Sequence, residues 1–133
     1  MRENLFHGKR KDNGEWVEGY YVPVGEYHYI LTGKLGLVSY PVSYLGFEHF
    51  LVIPETVGQY IELPDKNGKK IFEGDIVRDA ETSEVGKIFF DKYAAMFVIG
   101  FENTIADFNA SYNLEVIGNI YDNSELIGGE TNG

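Results

Sequence analysis

Turn-forming residues recur along this chain at intervals too short for long helices, and that punctuation restricts the fold more than any other feature. Asn13-Gly14, Gly25, Gly33, Gly36, Gly46, Asn67-Gly68, Gly86 and Gly118 mark the breaks. Between them lie segments rich in Val, Ile, Tyr and Phe, whose branched or flat side chains suit a pleated, half-buried surface. The pattern predicts a mostly β protein: antiparallel strands in small curled sheets or SH3-like barrel-type substructures. Strands are expected over residues 16–22, 27–31, 49–53, 57–63, 70–77, 86–90, 94–101 and 114–121. Asp91-Lys92-Tyr93 turns the chain between two of them, giving a hairpin whose second arm is apolar on both faces and belongs in the middle of a core. Helix is signalled only over 104–109 and 123–127, one or two turns each near the C-terminus, with Asn123 or Ser124 able to cap the latter. The stretch 33–46 reads as a loop with short strands. The tail 128–133 has no side chain worth burying and is expected to fray.

One local pattern occurs twice. Asn13-Gly14-Glu15-Trp16-Val17-Glu18-Gly19-Tyr20-Tyr21-Val22 parallels Asn67-Gly68-Lys69-Lys70-Ile71-Phe72-Glu73-Gly74-Asp75-Ile76-Val77, with one extra Lys in the second copy. Each runs from an Asn-Gly turn needing positive φ, through two bulky apolar residues and Glu-Gly, to a strand ending in Val. A glycine inside a strand marks a bulge or a sharp bend. The echo suggests two related substructures, about 5–55 and 56–127, within a single compact β domain over 1–127. Turn-plus-strand grammar is common, so coincidence is the competing reading, and one barrel or two is left open.

Residues 53–77, Ile-Pro-Glu-Thr-Val-Gly-Gln-Tyr-Ile-Glu-Leu-Pro-Asp-Lys-Asn-Gly-Lys-Lys-Ile-Phe-Glu-Gly-Asp-Ile-Val, resemble the signature segment of the YopX family, small proteins encoded mostly by phages and prophages of bacteria. Phe6-His7-Gly8-Lys9-Arg10 with Asn13 to Tyr20, and Leu114 to Asn123, are similar to the family's opening and closing patterns. The resemblance spans roughly 5–127. It implies a lineage and no particular chemistry, so the motif residues Gly58, Gln59, Tyr60, Asp65, Asn67, Gly68, Glu73, Gly74 and Asp75 are expected to be structural. One departure is local. Ile61-Glu62-Leu63-Pro64 stands where the family pattern has Thr, a small residue, Leu and a polar residue, and Pro64 stiffens the approach to the turn.

At 133 residues, 44% of them hydrophobic, the chain is the size of one ordinary domain and can bury a core. It has no Cys, which rules out disulfides and thiolate zinc sites. Met1-Arg2-Glu3-Asn4 leads into a charged segment unlike a signal peptide. The longest apolar run, Ala94 to Phe101, falls far short of the roughly 20 residues that span a bilayer. A soluble protein of the bacterial host cytoplasm, with no membrane partner, is therefore expected. The net charge is −10, and no Lys or Arg follows Lys92. Because phosphate neutralisation dominates nucleic-acid affinity, this distribution argues against a broad DNA- or RNA-binding face. Two basic clusters are exceptions, Lys9-Arg10-Lys11 and Lys66, Lys69 and Lys70. Both flank Asn-Gly turns, where solvated lysine is the ordinary expectation.

Catalytic and cofactor signals are missing. His7, His28 and His49 have no metal-ligand spacing, and there is no nucleophile elbow, dinucleotide fingerprint or phosphate loop. Asp65-Lys66-Asn67-Gly68 fails as a calcium loop, because aligning Gly68 with the required glycine puts Leu63 and Gly74 at the first and last ligand positions. Glu73-Gly74-Asp75, with Glu62 or Asp65 nearby across the turn, is the one acidic constellation able to orient a metal or act as an acid–base pair. Carboxylates beside glycine in turns more commonly bind local backbone amides. No enzyme, metal or cofactor is expected.

Trp16, Tyr20, Tyr21, Tyr27 and Tyr29 alternate along strand faces, so some belong to a core and others stand exposed. The candidate interaction surface is Trp16, Tyr20, Tyr21, Lys66, Lys69 and Lys70. The preferred reading is a non-catalytic protein-interaction module binding a phage or host protein, with a homo-oligomer through exposed strand edges as a further possibility. The alternative is a nucleic-acid accessory protein using Lys66, Lys69, Lys70 and exposed aromatics.

Overall fold

The structure is a computed structural model that describes residues 4–38, 44–108 and 113–128. Among the described residues, eleven strands run in chain order, all paired antiparallel where the register is defined. The chain divides into two units, Met1–Tyr60 and Ile61–Gly133.

The first unit is a meander of β1 (Phe6–Lys9), β2 (Trp16–Val24), β3 (Tyr27–Val38) and β4 (Tyr44–Leu51), followed by a 3-10 turn at Pro54–Thr56. Pro54 opens that turn, where its missing N–H costs nothing. Thr56 fixes the turn to β1: its hydroxyl accepts from Lys9 N at 2.9 Å and donates to the Ile53 carbonyl at 2.6 Å. β5 (Gly58–Pro64) pairs with β1 through Gly58 and Gln59 and continues past Tyr60 into the second unit, where it neighbours β6. The sheet order is β4-β3-β2-β1-β5-β6. A bridge between Arg10 and Val52 brings the end of β4 back beside β1, yet it is a single bridge and not a ladder. The sheet curls without closing into a barrel. Ile30 and Val52, both essentially inaccessible, fill its inner face.

The second unit contains β6 (Lys70–Phe72), β7 (Asp75–Asp79), β8 (Val85–Asp91), β9 (Met96–Gly100), β10 (Ile105–Ala106), β11 (Leu114–Asn119) and a 3-10 turn at Ser124–Ile127. Its five-stranded sheet has the order β10-β9-β8-β7-β11. Ile61, Ile71, Val77, Ile88, Ile99 and Leu114 form the core, with Phe97, Phe101, Phe108 and Val116 packed against it. The apolar strand expected over 94–101 appears as β9, flanked on both sides by β8 and β10.

Several local expectations are corrected. In place of the helix expected over 104–109, Ile105–Ala106 form β10, pairing with Gly100 and Ile99; residue 109 lies outside the described residues. The segment read as a loop over 33–46 contains the ends of two long strands, with residues 39–43 outside the described ones. Tail residues 129–133 also lie outside them. Residues 70–77 are two strands, since Gly74 at φ 94° turns the chain between β6 and β7. The echoed glycine, Gly19, stays within β2. The two copies share their opening turns, with Gly14 at φ 76° and Gly68 at φ 84°, and diverge at the second glycine.

Candidate interaction surface

The acidic residues singled out by sequence are absorbed into turns. Asp65 Oδ1 accepts from Asn67 N at 2.8 Å and Lys69 N at 2.9 Å, while Oδ2 accepts from Val116 N at 2.9 Å. Lys66 N donates to the Leu114 carbonyl, so the whole Asp65–Lys69 turn is tied to the start of β11. Burial alone would push the Asp65 carboxyl up; the three N–H groups of Val116, Lys69 and Asn67 outweigh it and hold it below the ordinary carboxylate range. Asp75, equally buried, accepts from Phe72 N at 2.8 Å across the β6–β7 turn. Gly74 sits between them in the motif, donating to the Ile88 carbonyl and accepting from Ile120 N. Glu73 is half-buried. Gly58 and Gln59 pair with His7 and Phe6, and Tyr60 N donates to the Leu5 carbonyl at 2.8 Å. Asn67 and Gly68 lie exposed at the turn tip. Among the described residues no group of three His, Asp or Glu could hold a metal ion.

Glu62 is an exception to this orderly picture. Its φ is 73°, a left-handed conformation that costs an L-residue with a side chain energy. Its Oε2 is buried without a hydrogen-bond partner among the described residues.

The expected aromatic surface splits. Trp16 is half-buried with its ring 4.5 Å from that of His7. Tyr21 points inward, its hydroxyl 2.6 Å from His28 Nδ1 and its ring 5.3 Å from that of Phe6. Tyr20 points outward and is exposed. The lysines belong to the second unit: Lys66 and Lys69 are exposed, and Lys70 is half-buried in β6. Arg10, in the other basic cluster, is already committed to Asp12 at 2.7 Å and lies over the Phe50 ring.

Register places Tyr20 beside Leu31, Val22 beside Tyr29 and Leu51, Val24 beside Tyr27, and Leu35 beside Phe47. Paired residues share a sheet face. Tyr20, Val24, Tyr27, Leu35 and Phe47 are each between 51% and 64% exposed and none of the five carries a charge, with Glu18, two residues before Tyr20 on the same strand face, at their border. At roughly 150–250 Å² per large aromatic, the five expose on the order of 500 Å², the upper end for a single-chain patch. Val24, Leu35 and Phe47 were not foreseen. The alternation of Tyr20, Val22 and Val24 was a usable signal, since both faces of that segment are apolar and only one can be core.

An antiparallel two-sheet architecture with an aspartate-anchored turn defines a class of small β proteins. The chain belongs to the YopX family, whose model matches residues 6–128. Among solved structures it is similar to protein EF1440 from Enterococcus faecalis, with a TM-score of 0.61 and 22% identity over 96% of this chain and 99% of that one. No curated protein matches it.

Proposed function

We propose that the protein is a non-catalytic interaction module, encoded by a phage or prophage, that docks a phage or host protein in the bacterial cytoplasm. The observation that carries this reading is the uncharged, solvent-facing patch of Tyr20, Val24, Tyr27, Leu35 and Phe47 on a chain of net charge −10. Tyrosines on a rigid sheet offer large contact area at small entropic cost, which favours protein recognition. The commitment of Asp65 and Asp75 to backbone amides supports a structural role for the acidic motif in place of acid–base chemistry.

Tagged protein purified from bacterial lysate, with and without nuclease, tests the reading. A stoichiometric protein partner is expected to survive nuclease and to be lost when Tyr20→Asp and Tyr27→Asp are combined. Association that vanishes with nuclease, or on neutralising Lys66, Lys69 and Lys70, would instead establish the nucleic-acid accessory role and sink this one.

A further inference from the structure

We infer that Asn67, at the tip of the Asp65–Lys69 turn, is a site of spontaneous modification. Its side-chain amide is lost to attack by the main-chain nitrogen of Gly68, whereas Asn13, in the echoed turn, is protected from the same reaction. This goes beyond the docking reading and does not rest on it.

The chain has three Asn-Gly pairs, at residues 13–14, 67–68 and 132–133, the last outside the described residues. Glycine after asparagine has no Cβ to hinder the approach of its nitrogen to the side-chain Cγ. The reaction needs only the turn and water. Gly68 N gives up its proton and bonds to Asn67 Cγ, the Cγ–Nδ2 bond breaks, and Nδ2 leaves with that proton as ammonia. The cyclic imide then takes up water. Opening at Cγ gives aspartate; opening at the main-chain carbonyl gives isoaspartate, with the chain running through the former side chain.

The two described turns differ at this step in one bond. Both glycines are left-handed, at φ 76° and 84°, both asparagines are exposed, and both turns are flanked by lysine. Both glycine N–H groups donate to a carbonyl at 3.0 Å, Gly14 to Arg10 and Gly68 to Asp65, which slows the two sites alike. The difference lies two residues after each asparagine. Glu15 N donates to Asn13 Oδ1 at 3.0 Å, so the Asn13 amide must break this bond before its Cγ can turn toward Gly14 N. The corresponding N–H, that of Lys69, donates to Asp65 Oδ1 at 2.9 Å, leaving the Asn67 side-chain amide with no hydrogen bond among the described residues. Either product disturbs that anchor. Aspartate puts a second carboxylate beside Asp65. Isoaspartate adds one main-chain atom between the Asn67 and Lys69 N–H groups, both of which Asp65 Oδ1 holds.

Incubation of the full chain in mildly alkaline buffer, once folded and once in concentrated guanidinium chloride, tests the inference. Peptide mapping by mass spectrometry reads the gain of one mass unit at each asparagine. In the folded chain Asn67 should convert about fivefold faster than Asn13, the equivalent of one hydrogen bond of about 1 kcal/mol. In denaturant, where neither amide is held, that ratio should fall. Methylation by isoaspartyl methyltransferase should mark the Asn67 product, and Asn67→Gln, whose longer side chain closes the ring poorly, should lack both signals at this position. The converted chain, separated by its extra negative charge, should unfold at lower urea than its parent. Asn13 converting as fast as Asn67 in the folded chain, a ratio unchanged by denaturant, a mass gain without isoaspartate, or a converted chain as stable as its parent would overturn the inference. None of these outcomes bears on partner capture through Tyr20 and Tyr27.

Discussion

Asp65 joins segments 51 residues apart with one carboxylate, and its loss should be felt in stability. Asp65→Asn keeps an acceptor for the turn but presents an NH₂ to Val116 N, leaving a buried donor unpaired at a cost of about 1–3 kcal/mol. The effect depends on pH in a defined direction. The folded carboxyl lies below its unfolded value of about 3.9, so its contribution is complete above that pH and is lost as pH falls through the folded value. Urea melts of wild type and Asp65→Asn should differ by a constant amount above about pH 5 and converge in stronger acid. Convergence at neutral pH instead would show that the carboxylate charge is irrelevant. Glu62 gives the opposite sign. Glu62→Gly relieves a left-handed φ and removes an unpartnered buried oxygen, so it should stabilise the protein by about 1 kcal/mol. A destabilised Glu62→Gly in the same melts would mean that the Glu side chain has a use beyond its contacts here. The sequence pointed to both residues as possible neighbours of Glu73 and Asp75, and to each for a further reason: Asp65 by its place before Asn-Gly, Glu62 as a departure from the resembling segment. Neither the 51-residue reach of Asp65 nor the φ of Glu62 leaves a mark in local composition.

At the scale of strands, two glycines that look equivalent in sequence do different work. β2 pairs with β1 up to Gly19 and with β3 from Tyr20 onward, and at this handover the backbones approach so closely that a Cβ on Gly19 would lie 2.0 Å from the Leu31 carbonyl oxygen. No side-chain movement relieves a clash with backbone, so Gly19→Ala should break the β2–β3 register and cost several kcal/mol, within the range of severe substitutions. At Gly74 the demand is on φ, and the nearest atoms to an added Cβ would be side-chain ones, the Tyr121 ring at 3.2 Å and Ile120 Cγ1 at 4.0 Å. Gly74→Ala should cost less, about 1–2 kcal/mol from the left-handed backbone. Thermal melts of the two variants rank the effects; the reverse order would contradict the register described for β2. Turn chemistry made the strand positions readable, because Asn-Gly and branched runs act locally. The extent of β3 and β4 was not readable. Their inner halves carry Gly33, Gly36 and Gly46, which local propensity assigns to loops, and pairing across the hairpin overrides that preference. The exposed patch was missed for the same reason, since Leu35 and Phe47 become neighbours only through this register.

At the scale of the whole chain, apolar burial is unequal between the two units. Among the described residues, Ile30 and Val52 are the buried hydrophobics of the first unit, while the second buries Ile61, Ile71, Phe72, Ile76, Val77, Ile88, Val98, Ile99 and Leu114. The bonds that fix the second unit's turns, from Asp65 to Val116 and from Gly74 to Ile88 and Ile120, also begin and end within it. A segment of this length with its own core and its own satisfied turns meets the requirements for independent folding, though near the lower size limit. Residues 57–133, which keep all of β5, should therefore unfold cooperatively in denaturant. Residues 1–60 alone should not, because two fully buried aliphatic side chains cannot offset the entropy of ordering a four-stranded meander. Circular dichroism and a urea titration of each fragment measure this directly. A featureless titration for 57–133 would show that the core of the second unit depends on residues before Val57, and the turn carboxylates offer a reason to expect otherwise: Asp65, Asp79 and Asp91 each accept from backbone amides within that same unit.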